Sequence, residues 1–248
     1  MLYKTEGIVL KSMEYEEADK IVTIYTKNYG KITAIAKGVR KTKSKFGSSL
    51  EILTHSVFLF YKGRNIDIVS QAEILESFFS ASKEVIKFAC AANCVEVVNK
   101  LTEEREINIG LFNLLKEVLH YLRESNDPKL LTLAFKWQTM SILGYSPSLN
   151  HCCRCNKSVE DQKEMYFNIK EGGLVCNNCI VKDKEGCVKV SIYFNKLVRK
   201  ILITPLSTIS NATIPDEKIK ELEKITDLYI AYHSEKSFKT DGFLKSLK

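Results

Sequence analysis

The sequence predicts an α+β multidomain protein in which an N-terminal β-barrel is followed by an all-α domain with an inserted four-cysteine module. Short runs of β-branched and aromatic residues fill the chain as far as residue 78, and apolar residues then recur every three to four positions. Two closely spaced cysteine pairs interrupt the helical part. We therefore expect a barrel domain at residues 1–79 and a helical domain at residues 80–248, with the module at about residues 150–182.

Five strands with turn signals between them are predicted in the N-terminal part. Five short strands in this length are typical of a small closed barrel such as the OB-fold, whose outer face binds oligonucleotides. An SH3-like barrel would give a similar pattern. The predicted strands cover residues 7–11, 20–26, 32–36, 57–61 and 66–69.

Helical spacing of apolar residues begins at about residue 81. Gly144 and Pro147 end the third predicted helix, and Pro205 ends the fourth, which covers residues 192–203. A last helix is predicted to begin near Pro215. The first three helices carry the stripes Val85, Phe88, Ala92 and Val95, then Leu111, Leu115, Val118 and Leu122, then Leu130, Leu133, Trp137 and Met140.

Composition excludes some classes of protein. No stretch of the 248 residues approaches the roughly 18 apolar residues of a membrane helix, and the N-terminus lacks the apolar core of a signal peptide. We therefore expect a cytoplasmic protein without a membrane partner. The net charge of +7 is compatible with a nucleic-acid partner but does not establish one.

The four-cysteine pattern is the sharpest feature of the sequence. Cys152 and Cys155 form one C-x2-C pair, Cys176 and Cys179 form another, and 20 residues separate the pairs. Two such turns supply an all-sulfur tetrahedral shell, which predicts one structural zinc ion with no open coordination position. Redox-active thiols or an iron–sulfur cluster remain alternatives.

Five other potential ligands lie outside this pattern. We expect the adjacent Cys153 and His151 to point away from the metal, and Cys187 to be a bystander. Cys90 and Cys94 share a helix face, where small buried core residues are the expected role.

A basic segment follows the third predicted strand. Residues 37–47 carry five positive charges and no negative one, which predicts a phosphate-binding loop on the barrel. Phe46 offers a ring on which a base could stack. A merely solvated loop is the alternative. The predicted DNA-binding residues are Lys37, Arg40, Lys41, Lys43, Lys45 and Phe46, with Lys62 and Arg64 in a later turn.

Sequence motifs of ATP sites, serine hydrolases and zinc proteases are absent from the chain. Carboxylates cluster at Glu14, Glu16, Glu17 and Asp19, and a nuclease would use such groups to hold Mg²⁺. We expect a solvated loop there instead, and a protein that is not an enzyme.

The sequence resembles the bacterial RecO recombination and repair proteins over nearly its whole length. Thr5–Lys11, the basic Ala36–Lys41 with Lys43–Gly47, and Gly144–Leu149 leading into Cys152 are the segments that carry the resemblance. Asn156 stands where the family often has glycine, and Cys153 is an additional cysteine. Neither difference removes a ligand.

The resemblance implies an OB-fold, a helical domain with a zinc module, and activity as a mediator. Such proteins bind single- and double-stranded DNA, anneal complementary strands and help load RecA on strands covered by single-strand-binding protein. The implied protein partners are RecR, the acidic C-terminal tail of single-strand-binding protein and, indirectly, RecA. The implied location is the nucleoid. The residues alone leave an RNA-binding protein with an OB-fold and zinc ribbon, a metal-dependent nuclease and an interaction scaffold as alternatives.

Overall fold

Five strands form a closed barrel in the computed structural model, which describes residues 1–41, 44, 46–78, 84–159, 164–234 and 240. The strand order is β1-β2-β3-β5-β4, and every pair is antiparallel except β3 with β5. This order confirms the OB-like barrel and all five predicted strands. The bounds are β1 Leu2–Tyr15, β2 Asp19–Thr26, β3 Gly30–Ala36, β4 Thr54–Tyr61 and β5 Asp67–Ser77.

Alternation along the strands fills the barrel. Val22 and Ile24 of β2 are fully buried, whereas the intervening Thr23 faces the outer side and is partly exposed. Tyr3 and Phe60 stack with their ring centroids 5.2 Å apart and close the core near the N-terminus.

Seven helices lie among the described residues. The chain divides into two compact units, the first comprising residues 1–124 with 239–248, and the second residues 125–238. The helices are α1 Val85–Leu101, α2 Ile109–Leu122, α3 Pro128–Ile142, α4 Asn177–Lys182, α5 Ile192–Ile203, α6 Leu206–Ile209 and α7 Asp216–Ser234.

In the first unit, the connection between α1 and α2 lies across strand β3. The Arg105 N–H donates to the Lys31 carbonyl at 2.9 Å, and the connection approaches Gly30 so closely that a Cβ there would lie 2.2 Å from the Glu106 carbonyl oxygen. Gly30 has φ +65°, so a side chain at this position would add backbone strain to the clash. The connection therefore covers part of the outer face of the barrel.

The predicted buried face of α1 is partly wrong. Val85 and Phe88 are 54% and 42% exposed, while the buried positions occupy most of the helix circumference further along. This follows from packing on two sides, because α1 contacts both α2 and β1. The stripes predicted for α2 and α3 are confirmed, since all eight residues are buried.

The second unit is built around Trp137 of α3. Tyr229 of α7 stacks on the indole with centroids 5.1 Å apart, and Phe194 of α5 and Phe167 meet its edge. Phe167 belongs to a three-stranded sheet of order β7-β6-β8, with bounds β6 Met165–Asn168, β7 Gly173–Val175 and β8 Cys187–Val190. Strands β6 and β7 form an antiparallel hairpin between the two cysteine pairs, whereas β8 and the short helix α4 were not predicted from the sequence.

No described helix combines the length and apolarity needed to cross a bilayer.

Candidate metal centre and nucleic-acid interface

The four predicted ligands converge on one point of the second unit. The Sγ atoms of Cys152, Cys155, Cys176 and Cys179 all lie within 4.8 Å of one another, and Cys155 Sγ is 3.6 Å from Cys176 Sγ. Ligands at the zinc–sulfur distance of about 2.3 Å stand roughly 3.8 Å apart in a tetrahedron. The cluster therefore fits a single metal ion. Within the described ranges it is the one group of three or more such ligands close enough to hold a metal.

The first cysteine pair lies on a tight turn closed by the main chain. The Asn156 N–H donates to the Cys152 carbonyl at 2.9 Å, and the Cys152 N–H donates to the Lys157 carbonyl at 2.8 Å. Asn156 has φ +58°, a left-handed conformation that asparagine adopts more readily than most residues. The turn thus forms with asparagine at the position where the family often has glycine.

The second pair begins the short helix α4. Cys176 is the N-cap residue, and its carbonyl accepts from the N–H groups of Cys179 and Ile180, both at 3.0 Å. One helical turn therefore brings Cys179 to the same side as Cys176. Strand β7 ends at Val175, directly before this turn, so the hairpin delivers the second pair to the first.

The environment of Cys152 favours its thiolate form. Burial by itself raises the pKa of this thiol, but N–H groups of Cys176, Cys155 and Arg154 point at the sulfur and lower its pKa to about 6. A thiolate is the form that binds a metal ion.

The neighbouring thiols have other contacts. Burial and the adjacent Glu171 carboxylate raise the pKa of Cys153 to about 12, and its Sγ donates to Glu171 Oε2 at 3.2 Å. Cys187 Sγ accepts from Asn168 Nδ2 at 3.3 Å. His151 is exposed and outside the cluster. Cys90 and Cys94 are buried in α1. These positions agree with the roles expected for all five residues.

The basic loop after β3 exposes three of its predicted DNA-binding residues, Lys37, Arg40 and Lys41. The carboxylate of Asp19 fixes the loop by accepting the Gly38 N–H at 2.8 Å. Arg40 Nη1 lies 3.3 Å from Glu14 Oε2. Part of the acidic cluster therefore supports the basic loop. Lys43 and Lys45 lie outside the described residues.

The predicted role of Phe46 is wrong. Its side chain is only 4% exposed and belongs to the barrel core, where it packs among inward-facing residues of the strands. The Ser49 N–H donates to the Phe46 carbonyl at 3.0 Å, so the chain turns at this point and directs the ring inward. Burial of this apolar ring in the barrel core is more favourable than its exposure to solvent, where it would be available to a base.

Lys62 and Arg64 are exposed on the turn between β4 and β5, as predicted. A further cation, Arg105, was missed by sequence reasoning. Its guanidinium is 43% exposed and pairs with the buried carboxylate of Asp67, the first residue of β5. Nothing near Arg105 in the sequence indicates this contact, since 38 positions separate the two residues.

Comparison with known proteins matches both parts of the chain. The family described as "Recombination protein O N terminal" matches residues 1–78, and "Recombination protein O C terminal" matches residues 82–242. The chain belongs to the RecO family. A protein named DNA repair protein RecO from Halalkalibacterium halodurans is 31% identical over 248 residues, covering 100% of this chain and 96% of the relative. The RecO of Bacillus mycoides is 30% identical over 100% of this chain and 98% of its own length.

The two RecO family matches meet between residues 78 and 82, close to the boundary predicted from the sequence. The division of this RecO chain into compact units falls after Glu124 instead, because α1 and α2 pack within the first unit. Neither division tests whether residues 1–79 fold as an independent domain, so this domain boundary stays a prediction.

Proposed function

We propose that this chain is a non-enzymatic, DNA-binding mediator of recombination and repair. In this proposal it anneals complementary single strands, also binds duplex DNA, and acts with RecR to help load RecA on strands covered by single-strand-binding protein. Membership of the RecO family and the exposed cations of the OB-like barrel support it. The observation that carries most weight is the position of Lys37 and Lys41, which are exposed and have no ion-pair partner among the described residues.

The physical basis is neutralisation of phosphate charge. Cations on a rigid barrel release counterions from a bound strand, so affinity falls steeply as salt rises. If about five cations contact phosphates of a single strand, log K falls against log salt with a slope near −3.5. Two strands held on such surfaces repel each other less, which favours annealing.

The proposed absence of enzymatic activity rests on the roles of the acidic and sulfur groups. Glu14 pairs with Arg40, and Asp19 accepts a main-chain N–H, so both carboxylates have structural contacts within the loop. We propose that the metal held by the four cysteines is Zn²⁺ and that it is structural. Four thiolates complete its tetrahedral shell, which leaves no position for water or substrate.

A groove in the second unit suits the acidic tail of single-strand-binding protein. The groove has a volume of about 330 Å³ and lies between α5 and the segment after α6. Lys196, Leu197, Lys200 and Ile201 are among the residues that line it, and both lysines are exposed. The described lining residues include no acidic one. We propose that an acidic peptide binds here through its apolar end, with the two lysines near its carboxylates.

The test is annealing of complementary oligonucleotides, with and without single-strand-binding protein. We expect acceleration by the wild-type protein in both cases, and a loss of acceleration when Lys37 and Lys41 are changed to Glu. A double variant Lys196→Glu/Lys200→Glu should anneal bare strands normally but fail on covered ones. Absence of acceleration by the folded wild-type protein would contradict the proposal, and tighter binding to RNA than to DNA of one sequence would favour an RNA-binding role.

A further inference from the structure

The outer face of β1, β2 and β3 is arranged in cross-strand rows, because directly paired residues point to the same side of a sheet. The first row consists of Ile8, Tyr25 and Lys31. Ile8 and Tyr25 are both completely buried. Lys31 Nζ donates to the carbonyls of Asn99 and Thr102 at 2.7 and 2.5 Å. The end of α1 and the α1–α2 connection therefore close this row.

The second row lies at the edge of the region that the α1–α2 connection covers. It consists of Lys11, Thr23 and Thr33. Thr33 Oγ1 donates to Glu104 Oε1 at 2.7 Å, while Lys11 at the other end of the row is exposed.

Beyond this edge the outer face carries mainly apolar side chains, which are exposed on β1 and partly buried on β2 and β3. The third row consists of Met13, Ile21 and Ile35, and Met13 is 43% exposed. Tyr15 lies two residues further along β1 on the same side and is 39% exposed. It is paired with Asp19, whose carboxylate accepts the Gly38 N–H. We name Met13, Tyr15, Ile21 and Ile35 the open strip. Large apolar groups facing water side by side indicate a contact surface.

Cations flank the open strip on two sides. Lys11 precedes Met13 by two residues on β1, so it points to the same side of the sheet. Lys37 follows Ile35 by two residues and begins the basic loop. Both lysines are exposed, and neither has an ion-pair partner within the described ranges. An apolar strip between cations matches a single strand, whose bases are apolar on their faces and whose phosphates are negative.

We propose that the open strip holds the unpaired bases of a single DNA strand, with Tyr15 stacking on one base, while Lys11 and Lys37 contact the flanking phosphates. This inference rests on the proposed DNA-binding function and assigns the stacking role that Phe46 cannot perform. Because the α1–α2 connection covers the first row, the strand is confined to the half of the barrel face farther from α2. The alternative occupant is an apolar protein surface.

The test combines a protein variant with a DNA variant. We expect Met13→Ser/Tyr15→Ser to bind a short oligo-dT about five-fold or more weakly than the wild type, the least that loss of one stacked base produces. An oligonucleotide of equal length with abasic internal positions should bind the wild type similarly weakly. The double variant should bind both oligonucleotides equally, because the contact is already lost. Tyr15→Phe should retain the wild-type affinity.

Salt dependence separates the strip from the lysines. The Met13→Ser/Tyr15→Ser variant should keep the wild-type slope of log K against log salt, whereas Lys37→Gln should reduce its magnitude by about 0.7. Tyr232→Ser is the matched control, since Tyr232 is 47% exposed and lies on α7 in the other unit. The affinity of the Tyr232→Ser variant for oligo-dT should equal that of the wild type. Circular dichroism should show that all variants are folded.

The outcomes distinguish this inference from the proposed function. If removal of the internal bases weakens DNA binding by the same factor in the wild type and the double variant, the open strip does not bind bases. Salt-sensitive DNA binding in that case would still support the proposed function. Loss of a protein partner without loss of oligo-dT affinity would overturn the base-binding role of the strip in favour of a protein surface. No binding to either oligonucleotide in dilute buffer would contradict the proposed function as well.

Discussion

The guanidinium Nη2 of Arg105 lies 2.5 Å from Oδ2 of Asp67, a carboxylate that is only 2% exposed. The hydroxyl of Tyr3 donates to the same carboxylate, and the Gly63 N–H donates to it at 3.2 Å. Burial by itself raises the pKa of Asp67, but these three donors together lower it below its ordinary value. One buried charge thus joins the β4–β5 turn, strand β1 and the α1–α2 connection.

Removing the arginine tests this junction. Arg105→Ala leaves the buried carboxylate with two donors instead of three, and we expect the free energy of unfolding to fall by about 1–2 kcal/mol, because Arg105 is partly exposed and water screens the pair. Urea unfolding followed by circular dichroism measures the change. The double variant Arg105→Ala/Asp67→Asn is the control, and it should recover part of the loss because the unpaired charge is gone.

Acid should weaken the same junction. Since the pKa of Asp67 is lower in the folded state than its ordinary value of 3.8, its contribution to stability is present above that pH and is lost as pH falls through the folded value. We expect wild-type stability to decrease below about pH 4 more steeply than that of Asp67→Asn. Equal slopes for the two proteins would show that Asp67 is not the titrating group.

The barrel could be predicted from sequence because its signals are local. Strand β3 is short and alternates between buried and partly buried residues, and β2 does so over residues 21–24. A turn at Asn28 and Tyr29 that ends in Gly30 joins the two strands. The cluster of four cysteines was predictable for a similar reason, since the C-x2-C spacing itself places two sulfurs on one turn.

The misses have a common cause in tertiary packing. Phe46 lies in a charged loop, and nothing in its neighbours indicates that the ring turns into the barrel. Val85 and Phe88 fit a helical stripe, but α1 is buried on two sides further along, so spacing does not identify its buried face. The extent of the open strip likewise depends on how far the α1–α2 connection extends over the barrel face, and no local sequence pattern indicates this.

His55 should make the first unit sensitive to mild acid. The imidazole is 5% exposed, and its Nε2 lies 3.3 Å from Glu6 Oε2. Burial lowers the pKa of His55 from 6.5, and the nearby Glu6 opposes this only in part. The folded state therefore favours the neutral ring. The contribution of His55 to the free energy of unfolding is complete at neutral pH and is lost as the pH falls through 6.5 and below. Urea unfolding at pH 7.5 and 5.5 should show this loss, and His55→Gln should reduce it.

Phe46→Leu separates the core role of this residue from a base-binding role. Leucine keeps most of the buried apolar volume but has no aromatic face, so we expect a loss of stability of about 1 kcal/mol and DNA affinity within two-fold of wild type. Fluorescence anisotropy with labelled oligo-dT measures affinity, and thermal unfolding measures stability. A loss of affinity as large as that of Met13→Ser/Tyr15→Ser would restore Phe46 to the binding surface.

Metal content distinguishes the four ligands from their neighbour. Cys176→Ser removes one of the converging thiolates, and we expect the purified protein to lose most of its bound zinc and to unfold at a lower temperature. Cys153→Ser is the matched control because its sulfur contacts Glu171 instead. Elemental analysis should find about one zinc per chain in Cys153→Ser and in the wild type. Zinc loss in the control would place Cys153 in the coordination shell.

The pair formed by Arg40 and Glu14 predicts a variant with higher DNA affinity. Arg40 Nη1 lies 3.3 Å from Glu14 Oε2, and both side chains are exposed enough for a phosphate to compete with the carboxylate. Glu14→Gln removes that competition and one negative charge near the basic loop. We expect it to bind single-stranded DNA about two- to five-fold more tightly at low salt, with a difference that shrinks as salt rises, because salt screens the interaction. Glu223→Gln on α7 is a control of equal charge change in the other unit, so an equal gain there would mean that net charge alone is responsible.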